Sequence, residues 1–190
     1  MKIYKAVQAT LGQGFDCFPS MKKFYADYGM TNHGGYDYPC KTGMPIYWDC
    51  DIEGTVLSNE RDNMGGLGVS ILTDDGEMVL KHRFWHLEGF CCAKGDKVQM
   101  GDVIGWADNT GASTGPHLHR DAKELIADID GQYLYEGRKY SQKYPNNGTF
   151  GTIRLDEYMT HKFVCDVLPK ETFIRKMLIM ISKFLTKGRQ

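Results

Sequence analysis

Val69-Ser70-Ile71-Leu72-Thr73-Asp74-Asp75-Gly76-Glu77-Met78-Val79-Leu80-Lys81-His82-Arg83-Phe84-Trp85-His86-Leu87 is the stretch that decides the fold. Two β-rich runs flank an Asp-Gly turn, a strong short-range hairpin signal. Working outward, Lys94-Gly95-Asp96 and Gln99-Met100-Gly101-Asp102 are two further turns. They bracket Val98 and precede a strand over Val103 to Trp106. Residues 45 to 107 therefore read as short strands split by turns, and residues 108 to 116 as a loop. The 190 residues are 42% hydrophobic and 25% charged, with 22 Gly. These globular values exclude wholesale disorder, collagen and coiled coil. The expected class is mainly β, with a helical segment towards the C-terminus.

That segment comes after Pro169. Phe173, Met177, Met180, Ile181 and Phe184 fall at helical spacing, as do Ile174, Leu178 and Leu185. Residues 170 to 190 hold six Lys or Arg and one Glu, a net +5 within a chain total of −1. The preceding 169 residues therefore carry −6. A basic amphipathic helix is expected, either docked on the body with its basic end suited to a helix C-terminus or meeting an anionic envelope surface or a partner protein. The overall balance lacks the basic excess of a nucleic-acid footprint. No apolar run approaches the roughly 18 residues of a transmembrane helix. Met1-Lys2-Ile3-Tyr4-Lys5 has the charge of a signal peptide, but Ala6 to Gly14 lacks a continuous apolar region, so no signal peptide is expected. The six cysteines, Cys17, Cys40, Cys50, Cys91, Cys92 and Cys165, form no CxxC pair. Reduced thiols serving as small hydrophobes are expected.

Four histidines sit in informative places. On a strand, His117 and His119 of His117-Leu118-His119 project to one side and Leu118 to the other, into a core. In His33-Gly34-Gly35-Tyr36-Asp37, two glycines costing about 1 kcal/mol each against Ala argue against a helix. In an extended chain His33 and Asp37 still share a face. Alone, each segment also reads as ordinary loop or turn chemistry. Together, His33, Asp37 and one histidine of the pair supply the N, O, N donors of a catalytic zinc site. The spare histidine and His86 could handle protons or stabilise an oxyanion. Such a site hydrolyses amides or esters.

Other residues carry open alternatives. His82 shares alternation parity with His86, so it either lines the groove or is a satisfied surface histidine. Tyr36, Tyr38 and Trp48 serve as groove walls or as core. Asn32 contacts substrate or holds a turn, and His161 is structural. Gly111-Ala112-Ser113-Thr114-Gly115 fits the serine-hydrolase elbow, which needs a strand before and a helix after. Pro116 and the histidine pair come next instead, so this is read as the loop that places the pair.

The run Gly29 to Asp37, with its His-x-x-x-Asp, resembles the first motif of the lysostaphin-type (LytM-like) zinc metallopeptidases. Ser113-Thr114-Gly115-Pro116-His117-Leu118-His119 resembles their closing motif, Thr-Gly-x-His-Leu-His. Phe84-Trp85-His86-Leu87 is similar to their aromatic-x-His-Leu segment, and Lys94 to Gly105 to their turn-rich approach to the last strand. The resemblance spans residues 10 to 125. It implies a compact antiparallel β-sheet with an open groove over a metal. It implies Zn²⁺ held by His33, Asp37 and His119, with His117 as general base or water-orienting residue. His86 would stabilise the tetrahedral intermediate or shuttle the proton. The implied substrates are peptide bonds of bacterial peptidoglycan, in cross-bridges or stem peptides. The implied organisation is a peptidase domain over 1–150 and an extension over 151–190 carrying the helix. Three positions depart from the family pattern: Phe84 replaces a common Tyr, Glu88 a Ser or Thr, and Arg120 an apolar or aromatic residue. They leave the subsites open.

With no signal peptide expected, a phage-encoded lysin fits: made in the host cytoplasm and reaching the wall after lysis or on a virion. Asn146 to Gly151 resembles the segment directly after this domain in phage lysins. The alternative from another class is a structural or binding module of a phage particle or envelope complex, making its contact through the basic helix. A third reading is an amidase or esterase using the same zinc site.

Overall fold

The computed structural model describes residues 1–187 except Cys17 and Asn146, without the side chains of Phe173 and residues 183–187. Phe173, Phe184 and Leu185 of the helical stripe therefore lie outside the described side chains, and Cys17 lies outside the described residues. In chain order the elements are β1 (Ile3–Lys5), α1 (Lys22–Asp27), β2 (Tyr36–Pro39), β3 (Pro45–Tyr47), β4 (Gly54–Asp62), β5 (Gly66–Asp74) and β6 (Val79–Trp85). Then come β7 (Leu87–Phe90), β8 (Lys97–Val98), β9 (Val103–Ala107), β10 (His117–Ala127), β11 (Tyr133–Tyr135), β12 (Arg138–Gln142) and β13 (Met159–Phe163). Two helices complete the chain, α2 (Val164–Val167) and α3 (Lys170–Lys187).

An eight-stranded antiparallel sheet runs β11-β12-β10-β6-β5-β4-β8, with β2 on the first half of β10. The expected hairpin is β5–β6, with Asp74 opposite Val79. Its turn is held by the Asp75 carboxylate, which accepts from the amides of Glu77 and Met78 at 3.1 and 2.8 Å. A second sheet, β3-β9-β7, is antiparallel, and β1 pairs in parallel with β13. The period-2 alternation of the strands sorts side chains between two faces. Val69, Ile71, Leu80, Phe84, Leu118 and Ala122 point to the core, where they meet Ile46, Trp48, Leu87 and Ile104. Tyr36, Tyr38 and Trp48 belong to this core and not to groove walls. The intervening positions of β2, β6 and β10 form the opposite face.

Alternation fails at the end of β6, and there it matters. β6 ends at Trp85, and His86 takes a left-handed backbone, φ +62°. Its amide donates to the Gly65 carbonyl at 2.9 Å and its carbonyl accepts from the Asp108 amide at 2.8 Å. This reversal ends the parity of the strand, and β7 continues in the other sheet. His82 and His86 therefore do not share a face. His82 is wholly buried in the core, neither in the groove nor on the surface. There its Nδ1 accepts from Arg120 at 2.7 Å and its Nε2 donates to Thr73 Oγ1 at 2.9 Å.

The same core polar cluster accounts for two family departures. Arg120 is 1% exposed and reaches both Asp49 oxygens, at 3.1 and 3.2 Å. Its guanidinium lies over the Phe84 ring at 5.1 Å. Both residues occupy core-facing positions, so neither shapes a subsite.

Burial and the neighbouring Arg120 charge hold the His82 pKa well below its usual range. Burial likewise holds His86 at about 4. Both stay neutral in the fold while the unfolded chain takes up protons near pH 6.5. Their stabilisation is therefore complete above about pH 6.5 and is lost as the pH falls below it, at up to about 1.4 kcal/mol per pH unit per group. Urea unfolding at pH 7 and pH 5 should show this loss, with a shallower slope in a His82→Gln variant.

Of the described cysteines, Cys50 and Cys92 are buried, and Cys40, Cys91 and Cys165 half-buried. His161 is exposed on β13. Beyond residue 150 the chain stays in contact with the body through Leu155 in the core and through β13. Among the described residues no helix is long and apolar enough to cross a membrane.

Candidate metal centre

Strand register assembles the centre. His119 on β10 lies opposite Asp37 on β2 and Trp85 on β6. His33 sits just before β2, and the chain from His33 to Asp37 stays extended enough for both side chains to reach one point. His33 Nε2 lies 3.0 Å from His119 Nδ1 and 3.1 Å from Asp37 Oδ1. Asp37 Oδ1 lies 2.9 Å from His119 Nδ1. These three residues form one cluster of possible metal ligands.

The close approach of β2 to β10 requires glycine. A Cβ on Gly35 would lie 2.6 Å from His119 Nε2 and 2.9 Å from the Arg120 carbonyl. One on Gly34 would lie 2.8 Å from Thr152 Oγ1. Thus the Thr149–Thr152 turn presses on the backbone that carries His33, and β10 presses on the backbone leading to Asp37.

Each histidine of the cluster has its other ring nitrogen engaged. His33 Nδ1 donates to the Gly14 carbonyl at 2.7 Å. Residues 12 and 13 bring that carbonyl into place by bonding to the backbone of Asp37. The His33 ring also packs on Tyr25 of α1, centroids 5.6 Å apart. His119 Nε2 faces Asp121 Oδ2 at 3.3 Å. Asp121 is in turn gripped by Arg83, at 2.7 and 3.0 Å. Such outer partners fix ring orientation, and with a cation bound they would leave the inner nitrogens as lone-pair donors.

The electrostatics agree. Burial opposes charge on Asp37, but hydrogen bonds from His119 and His33 hold its carboxyl well below the usual range. Burial also opposes charge on His119, yet Asp121 and Asp37 raise it to about 9. Burial opposes charge on Asp121, which the Arg83 charge and the His119 hydrogen bond hold ionised. The cluster is built to surround positive charge.

The donor set fits zinc. Ligands about 2.0 to 2.1 Å from a tetrahedral ion lie about 3.3 Å apart, close to the 2.9 to 3.1 Å edges here. Two nitrogens and one carboxylate oxygen are a catalytic set, three protein ligands with one position left open.

His117 and His86 stand beside the cluster. His117 Nδ1 donates to the Gly115 carbonyl at 2.8 Å, with Ser113 Oγ 3.1 Å away. Its Nε2 lies 3.6 Å from Asp37 Oδ1. His86 Nδ1 donates to the Thr110 carbonyl at 2.6 Å. The two rings are 4.4 Å apart, and His86 is 6.1 Å from His119. All five sequence-selected residues therefore border one cleft, of about 460 Å³. Ser113 is no nucleophile elbow; it braces the His117 loop.

Sequence reasoning missed Asp121 and Arg83. Both were within reach: Asp121 continues the 117, 119 alternation, and Arg83 is its antiparallel partner. Asp121→Asn, which keeps shape and loses charge, is expected to weaken zinc affinity about 10- to 100-fold. Competition with a chromophoric chelator measures this directly.

A family model described as Peptidase family M23 matches residues 31–132. Glycyl-glycine endopeptidase ALE-1 of Staphylococcus capitis is 37% identical over 91 residues, 46% of this chain and 24% of that protein. Peptidoglycan DD-endopeptidase ShyA of Vibrio cholerae is 37% identical over 87 residues, 46% of this chain and 19% of that one. The chain thus spans about a quarter or less of these relatives. Among solved structures, the catalytic domain of lysostaphin from Staphylococcus simulans superposes with a TM-score of 0.51 at 27% identity, covering 61% of this chain and 80% of that one.

Proposed function

The chain belongs to peptidase family M23, and we propose that it is a zinc-dependent endopeptidase that hydrolyses peptide bonds of bacterial peptidoglycan as a cell-wall lysin. The observation that carries this reading is the His33–Asp37–His119 triangle, with each histidine's outer nitrogen held by the fold. The named relatives are endopeptidases, which supports the peptide bond over an ester.

His33, Asp37 and His119 would hold the metal. A zinc ion held this way supplies Lewis acidity at its remaining position. The other contributions come from the chain itself. His117 presents its Nε2 beside the cluster, its ring oriented by the Nδ1–Gly115 bond. It can accept a proton from an attacking water and return it to the departing amine. His86 is neutral down to about pH 4, and its Nδ1 proton is committed to Thr110. These properties make its Nε2 a hydrogen-bond acceptor that can orient a water, a weak base and no donor to an oxyanion. The strained backbone of His86 is consistent with a side chain placed for function.

The cleft is lined by Phe24 of α1 and Tyr28 just after it, and by Met64 and Trp85. Such a lining suits an extended peptide and excludes bulk water from the reacting bond.

The test is digestion of peptidoglycan from several bacteria, with and without chelator, and then mass spectrometry of the released muropeptides. New amino termini within peptide chains, lost on chelation and restored by zinc, are expected. Undiminished cleavage by metal-free protein would overturn the zinc reading.

A further inference from the structure

Helix α3 turns an apolar stripe of its described side chains outward. An amphipathic helix normally turns its apolar stripe inward. Here, among the described side chains of the helix, Thr172, Lys176 and Met180, one line at i, i+4 and i+8, are the half-buried positions. The seat is made by a polar contact, Lys176 Nζ to Asp102 Oδ1 at 2.6 Å. The stripe at Ile174, Met177, Leu178 and Ile181 (i, i+3, i+4, i+7) faces out. Its residues are 56%, 36%, 61% and 43% exposed.

We propose that α3 binds the surface of an anionic lipid bilayer, lying in the interface plane with the Ile174–Met177–Leu178–Ile181 stripe inserted. Charge selects this occupant. Residues 170 to 190 carry net +5, and the rest of the chain carries −6. An anionic membrane repels the body and attracts only this segment, which sets the orientation of approach. A second copy meeting the same stripe would bring +5 against +5. The helix is too polar to span a bilayer, and a basic helix with an exposed apolar stripe binds in the interface instead. This inference does not rest on the peptidase reading, because none of the stripe borders the metal cleft.

The experiment is flotation of the full chain with vesicles of phosphatidylcholine alone or with phosphatidylglycerol added. Binding to the anionic vesicles should be at least about ten-fold the stronger and should weaken with salt. Arg175→Gln should lower it about five-fold, and Leu178→Asp combined with Ile181→Asp should abolish it. These residues are exposed, so the variants should melt at the parent temperature and retain the parent's zinc affinity. Equal binding to neutral and anionic vesicles, or binding to neither, would overturn the proposal. So would a dimer in solution that the double Asp variant splits.

Discussion

His119→Ala is expected to remove zinc and activity together, lowering turnover about 10³-fold or more. The metal's charge stabilisation amounts to several kcal/mol, and each 1.36 kcal/mol is about ten-fold in rate. His119 is the hub of the centre: its Nδ1 meets both His33 and Asp37, and its Nε2 meets Asp121. His117→Ala is the control that separates binding from chemistry. Its nitrogen lies beyond the triangle, so zinc should remain while activity falls about 10²- to 10⁴-fold, the range for a general base. Zinc content by elemental analysis beside muropeptide release distinguishes the two. Equal zinc loss in both variants would mean that the ligand set is misassigned.

The largest expected effect on stability comes from the other side of the sheet. Asp49→Ala leaves the Arg120 guanidinium buried without its carboxylate partner. Removing one member of a buried ion pair costs about 3 to 5 kcal/mol, a large share of a typical total of about 5 to 15 kcal/mol. The penalty is one of desolvation and cannot be relieved by water in a site that is 1% exposed. Replacing Arg120 and Asp49 together with apolar residues should cost much less than either single change. Urea unfolding of the three variants measures it, and additive single-variant costs would show that the pair is not coupled.

The sequence exposes some features because they depend on local period and turn chemistry. The Asp-Gly hairpin, the strand carrying His117 and His119, and the C-terminal helix are of this kind. The metal triangle is within reach because His33 and Asp37 lie four residues apart, and because the motif resemblance supplies the long-range pairing. The features that escape a sequence reading depend on non-local geometry. Parity counting misplaces His82 because a single left-handed residue, His86, breaks the alternation it assumes. Phe84 and Arg120 look like subsite variations, but their strand positions turn them into the core. The Gly14 and Thr110 carbonyls that fix His33 and His86 are backbone atoms with no side-chain signature. For α3, spacing announces an apolar stripe but cannot say which edge is seated on Asp102.

One titration tests the central claim most directly. Metal-free protein receives zinc in small steps, and bound zinc and cleaved peptidoglycan peptide bonds are measured in the same sample. A single zinc-requiring centre predicts that both rise together and break at one equivalent. Cleavage before any zinc is added, or saturation with zinc and no cleavage, would contradict it.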